Sequence, residues 1–128
     1  MVQQITRGIK ISVTTKYKGN IVRSNHTQYA FSYSIEIANQ SNDIVQLISR
    51  FWNIKDALNY PVIVQGEGVI GEKPILMPGQ KHSYTSGCLL NSPIGAMEGH
   101  YNLLSFDTQE EFKVPIPLFK LIAEFSMT

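Results

Sequence analysis

The pattern of apolar and polar positions predicts strands almost everywhere along this chain. The clearest run is Tyr29-Ala30-Phe31-Ser32-Tyr33-Ser34-Ile35-Glu36-Ile37, with large apolar residues at every odd position and small or polar ones between. A period of two, carried by aromatic and β-branched side chains, marks a half-buried strand. Ile9, Ile11 and Val13 alternate with Lys10, Ser12 and Thr14, so a first strand is expected from Ile9 to Tyr17, followed by a loop through Gly19-Asn20 and Ser24-Asn25. Asn39 to Asp43 reads as a turn. Residues 44–56 are apolar on both faces, with Val45, Leu47 and Phe51 on one and Ile44, Ile48, Trp52 and Ile54 on the other, which suggests a central strand. Shorter strands are expected at Tyr60 to Val64 and at about 81–89, 100–107 and 111–121. Pro78-Gly79, Pro93-Ile94-Gly95 and Asp107-Thr108 punctuate them. The expected fold is therefore all-β, an antiparallel two-sheet β-sandwich of seven or more strands, with Tyr29, Phe31, Tyr33, Ile35 and Ile37 lining one inner face.

Composition supports a compact fold. Of 128 residues, 43% are hydrophobic and 16% charged, enough apolar content for a continuous core and too little charge for a disordered chain. No linker, low-complexity tract or repeat interrupts it, so residues 1–128 are expected to form a single domain. The net charge of +1 gives no general attraction to nucleic acid or membrane. Its distribution is uneven: residues 1–35 contain Arg7, Lys10, Lys16, Lys18 and Arg23 and no acid. Lysines that protect edge strands account for this, with an anionic partner as the alternative. Cys88 is alone, which excludes an internal disulfide and fits a reducing, cytoplasmic setting. No run is apolar and long enough for a membrane span, and residues 1–7 do not resemble a signal peptide.

Catalytic chemistry finds little support. Gly66-Glu67-Gly68-Val69-Ile70-Gly71 matches G-x-G-x-x-G, but Pro74 and Pro78-Gly79 follow where a dinucleotide fold needs a helix. A glycine-rich bend between strands is the simpler reading. The alternative is a phosphate, a pyrophosphate or a nucleotide held by backbone N–H groups at Gly66, Gly68 and Gly71, with Arg50 or Lys73 as charge partner. His26, His82 and His100 show no metal-ligand spacing, so neither metal nor cofactor is expected; His82 and His100 on separate strands would have to converge to bind one. Cys88 lies beside Leu89 and Leu90, as a buried inert thiol would. Glu110-Glu111 reads as a solvated turn. Tyr84, Tyr101 and Trp52 would line either a groove or the core. Pro115 and Pro117 lack N–H groups on the same side of their strand, which places that side at a sheet edge or toward solvent.

The run Val64 to Gly79 closely resembles the ApaG (CorD) family. So do Tyr84-Thr85-Ser86-Gly87-Cys88-Leu89-Leu90, Pro93 to Tyr101, and Ile116-Pro117-Leu118-Phe119-Lys120-Leu121. Leu47 to Ile54 resembles the family's Arg-His-Trp segment, except that Phe51 stands at the histidine, so a ligand role for that histidine does not carry over. The resemblance implies a fibronectin type III-like sandwich without enzymatic activity. It also implies genetic links to cobalt tolerance, magnesium efflux and the neighbourhood of a diadenosine tetraphosphate hydrolase, and a protein-interaction role for the domain in eukaryotes. On that basis the expected partner is another protein, not nucleic acid or membrane, with the surface around Trp52 or the edge at Pro115 and Pro117 as contact.

Overall fold

The computed structural model describes residues 1–57 and 59–123. Nine strands follow one another with no helix among the described residues: β1 (Val2–Thr6), β2 (Ile9–Arg23), β3 (His26–Asn39), β4 (Val45–Asp56), β5 (Val62–Glu67), β6 (Ile75–Leu76), β7 (Lys81–Leu90), β8 (Ile94–Ser105) and β9 (Glu111–Ile122). They form two antiparallel sheets, ordered β1-β2-β3-β7 and β5-β4-β8-β9, with β6 also on β4. This is the fibronectin type III-like sandwich. The alternation read from 29–37 holds: Phe31, Tyr33, Ile35 and Ile37 are buried, and Tyr29 packs against them. Cross-strand pairing sets Ile11 beside Ile37 and Val13 beside Ile35. The second sheet answers with Leu47, Trp52, Met97, Tyr101, Leu103, Val114 and Phe119.

Several boundaries differ from the sequence reading, each for a local reason. Gly19-Asn20 is no loop. Gly19, at φ 112°, sits at a register shift after Tyr17, and β2 continues through this bulge to Arg23. The chain reverses at Ser24-Asn25, both at positive φ, in a two-residue hairpin turn. β1 shows no strand pattern in the sequence, since only Val2 and Ile5 are apolar in it; its order comes from the ladder with Ile9 to Val13. Beyond Val13 that cover ends, so Lys16, Lys18 and Arg23 lie along a free edge, where lysine and arginine discourage pairing with another chain. Ile94-Gly95 opens β8 rather than a turn, and Tyr60 lies outside β5.

In β4 the expected unbroken alternation, with Val45, Leu47 and Phe51 on one face and Ile48, Trp52 and Ile54 on the other, fails. The register slips between Leu47 and Ser49, leaving an extra residue at Ile48. Val45 and Leu47 face the core before the bulge; Trp52 faces it after, and Phe51 turns outward. A similar slip between β8 and β9 lets Ile116 and Phe119 both reach the core.

Asn39 joins the loops at one end. It is fully buried. Its Nδ2 donates to the carbonyls of Asp43 (2.7 Å) and Leu76 (2.9 Å), and its Oδ1 accepts from the amide and hydroxyl of Ser41 (3.0 and 2.6 Å). Its backbone binds the turn at Gly79-Gln80. Buried carbonyls left without a donor are costly. Urea unfolding of Asn39→Ala should show a loss of about 3 kcal/mol, near the upper end for an orphaned buried polar group. Phe31→Ala should lose about 3–5 kcal/mol in the same titration, as buried aromatic truncations do.

Candidate functional site

The two sheets close on each other where β9 packs against β1 and β2. On the opposite side they separate, and a cleft of about 440 Å³ opens between β4–β5 and β3–β7. Tyr33 and Tyr84 form one wall; Trp52, Val64 and Arg50 form the other. The glycine segment makes the lip. Gly68 N–H bonds the Ile48 carbonyl and Leu47 N–H bonds the Pro74 carbonyl, so residues on either side of the segment continue the ladder along β4. Between them Val69-Ile70-Gly71-Glu72 forms a tight hairpin, with reciprocal Val69–Glu72 bonds of 2.8 and 2.9 Å. Val69 is buried and anchors it, while Ile70 at the tip is 63% exposed.

Each glycine has a structural reason. Gly68 (φ 61°) passes against the Glu72 carbonyl, where a Cβ would collide. Gly71 (φ 73°) fills the second position of a turn with two positive φ values. The first position holds Ile70 at φ 47°, a strained backbone for a β-branched residue. Gly66 lies under Arg50: a Cβ there would sit 2.8 Å from both guanidinium Nη atoms. Arg50 thus crosses β5, and its Nη1 donates to the carbonyls of Glu67 and Gly68, both at 2.9 Å. Lys73 pairs with the Glu67 carboxylate at 3.1 Å. The amides of Gly68, Val69 and Glu72 are committed to carbonyls, and no helix follows. The segment is therefore a strand–hairpin–strand turn.

Burial dominates the chemistry inside the cleft. The Cys88 thiol is pushed up to about 11, first by desolvation and then by the Asp56 charge. Tyr84 and Tyr101 share a hydrogen bond, and burial raises both phenols; the Arg50 charge pulls weakly the other way on each. Trp52 is 3% exposed, stacked edge-on against Tyr101 and Phe119. This corrects the expectation of an exposed Trp52 contact: the β4 bulge turns its ring into the core, where it only floors the cleft. Tyr101 is likewise core, whereas Tyr84 borders the opening.

The remaining sequence candidates lie elsewhere. Pro115 and Pro117 are on β9, an edge strand as their missing donors require. They flank a shallow outer groove with Phe51 and His100. These two rings stack 5.0 Å apart at 9°, and burial with the Lys113 charge lowers the His100 pKa. His82, 3.8 Å from Glu72, is in the other sheet, so the two histidines do not meet. Among the described residues, no three His, Cys, Asp or Glu side chains group as metal ligands would. The sequence reading missed Ile63, Val64 and Ile70. The available signal was Val62-Ile63-Val64, apolar on both faces and free of charge, which fits an open edge.

Residues 20–105 match the ApaG domain family. A protein ApaG from Acidithiobacillus ferrooxidans is 44% identical over 115 residues, covering 90% of each chain. One from Beijerinckia indica is 40% identical over 126 residues, 98% of this chain and 96% of its own. The crystal structure of an ApaA protein from Bordetella pertussis superposes with a TM-score of 0.84 at 37% identity, covering 92% of this chain and 95% of that one.

Two measurements test this site. Alkylation of Cys88 at pH 8 should run about 100-fold slower than for a free cysteine, because a rise of two pKa units lowers the thiolate fraction by that factor. The rate should climb with pH until near 11, the raised value. Replacing Ile70 by Asn should raise stability by about 1 kcal/mol in thermal or urea unfolding, since asparagine tolerates positive φ and little burial is lost.

Proposed function

The chain belongs to the ApaG domain family, and from that premise we propose that it is a non-enzymatic binding module whose ligand is another protein, docked on the open β5 side of the sandwich. One observation carries this reading. β5 is an edge strand on which Val62, Ile63 and Val64 are all substantially exposed, with no charge or proline between Val62 and Gln65. Such an edge invites pairing unless a partner covers it. Of the other borders, β9 carries Pro115 and Pro117 and the free part of β2 carries Lys16, Lys18 and Arg23, while β7, the second edge on the open side, is more polar than β5, with Lys81, His82, Ser83, Thr85 and Ser86 along it. Ile70 adds an exposed apolar side chain on the cleft lip, in a backbone state that isoleucine disfavours. Strain of this kind is kept where a side chain serves a contact.

Catalysis has less to rest on, since burial holds the Cys88 thiol protonated, the opposite of an activated nucleophile. The anion alternative at Gly66–Gly71 is also weakened. The amides of Gly68 and Val69 are spent and Lys73 is neutralised by Glu67, which leaves no backbone cradle for a phosphate. Any link to cobalt or magnesium is indirect, through the partner. The lone thiol suits the cytoplasm, where we place the module.

The test is a photo-crosslinking amino acid placed at Ile63, 50% exposed on β5, with Val22 on the far hairpin as control. In the native cell the Ile63 position should give one discrete crosslinked protein that Val22 does not, and Ile70→Asn or Val64→Lys should diminish it. Identical diffuse products from both positions would refute the reading.

A further inference from the structure

We propose that the occupant of this surface is an extended peptide segment that adds to β5 as a further strand and places a carboxylate side chain on Arg50. The proposal rests on the protein-binding reading above and names the chemistry of the partner.

The backbone argues for a strand. Antiparallel neighbours bond in alternate pairs. Gly68 N–H bonds Ile48, so Gly66, Val64 and Val62 also turn their backbone groups toward β4. Ile63, Gln65 and Glu67 then point theirs to the free side. The Glu67 carbonyl confirms the direction, since Arg50 caps it after crossing Gly66. The N–H and C=O groups of Ile63 and Gln65 remain as a template for an incoming strand.

The side chains argue for an acid. Val64 and Gly66 face the cleft, and a strand laid beside them sends every second side chain to that face. One of these positions falls next to the Arg50 guanidinium. Among the described residues no carboxylate lies within ion-pair distance of Arg50, and only its Nη1 is hydrogen-bonded. Nε and Nη2 are left as a parallel pair of donors, the fork that a planar carboxylate matches in a bidentate contact. Two residues along, the incoming side chain falls beside Val64, which selects an apolar residue. The recognised segment is therefore extended, with Asp or Glu and an apolar residue two positions apart on one face. Pairing with β5 of a second copy does not meet the requirement. That strand offers Val64 and Gly66 on that face, and no acid.

The test uses fluorescent octapeptides in which threonine alternates with valine, one central valine being replaced by Glu, Gln or Lys. Fluorescence anisotropy should show the Glu peptide binding about tenfold more tightly than the Gln peptide, the scale of a charged hydrogen bond, with Lys weakest. The preference should shrink with added salt. Arg50→Gln should equalise the Glu and Gln peptides. Because that change also frees two hairpin carbonyls, Gln65→Pro provides the second variant: it removes a donor that β4 does not use, and should abolish binding of all three peptides while the protein stays folded. Hydrogen exchange at the Ile63 and Gln65 amides should slow on binding the Glu peptide. Equal affinities for the three peptides, binding indifferent to Gln65→Pro, or unchanged exchange at those amides would overturn the proposal. So would concentration-dependent dimerisation abolished by Gln65→Pro, which would assign the edge to a second copy. If crosslinking at Ile63 finds a partner but the peptides are not discriminated, the binding module stands and the acidic strand falls. If both fail, the binding module falls too.

Discussion

The bulge at Ile48 determines what the inner face of β4 presents. One extra residue reverses the side-chain alternation midway along the strand. Val45 and Leu47 enter the core on odd numbers; Arg50, Trp52 and Ile54 turn inward on even ones. Without the bulge, Phe51 would occupy the core and Arg50 the outer surface, and the cleft would lose its cation. The outward turn also sets Phe51 against His100, where two rings stack on the exterior of the sheet.

The glycines of the 66–71 segment follow from this arrangement. Once Arg50 points inward at the edge, its guanidinium needs room over β5, and Gly66 provides it. The carbonyls it binds belong to the residues that leave the strand and enter the hairpin, so one side chain fixes the path of the lip. Gly68 and Gly71 then satisfy a close backbone approach and a left-handed turn. A motif that elsewhere cradles phosphate here shapes a hairpin, because its amides face carbonyls instead of a helix axis and an open anion site.

The borders of the two sheets divide the molecule into a closed side and an open one. The closed side has prolines and a packed β1–β9 contact; the basic free edge of β2 is protected by charge. The open side has apolar residues on an unprotected strand, an arginine with no carboxylate against it among the described residues, and a strained isoleucine. Folding stability alone does not favour any of these three features. Their coincidence around one cleft is what points to a ligand.

Much of the fold was legible in the sequence. Alternation at 29–37 specified a strand and its buried face, because side-chain period is a property of the strand itself. Paired prolines at 115 and 117 specified an edge, because a missing donor is visible residue by residue. The resemblance to the ApaG family was legible too, in the glycine segment and the stretches after it. Three things were decided only by the tertiary structure. The strand β1 exists through its ladder with β2, since Gln3 and Gln4 carry no pattern of their own. The burial of Trp52 and the inward turn of Arg50 depend on a bulge, which is a relation of register between two strands and leaves no trace in the periodicity of one. The cleft itself arises where β5 and β7, well separated along the chain, stand at the same open side of the sandwich, and no local pattern reports a distance across space.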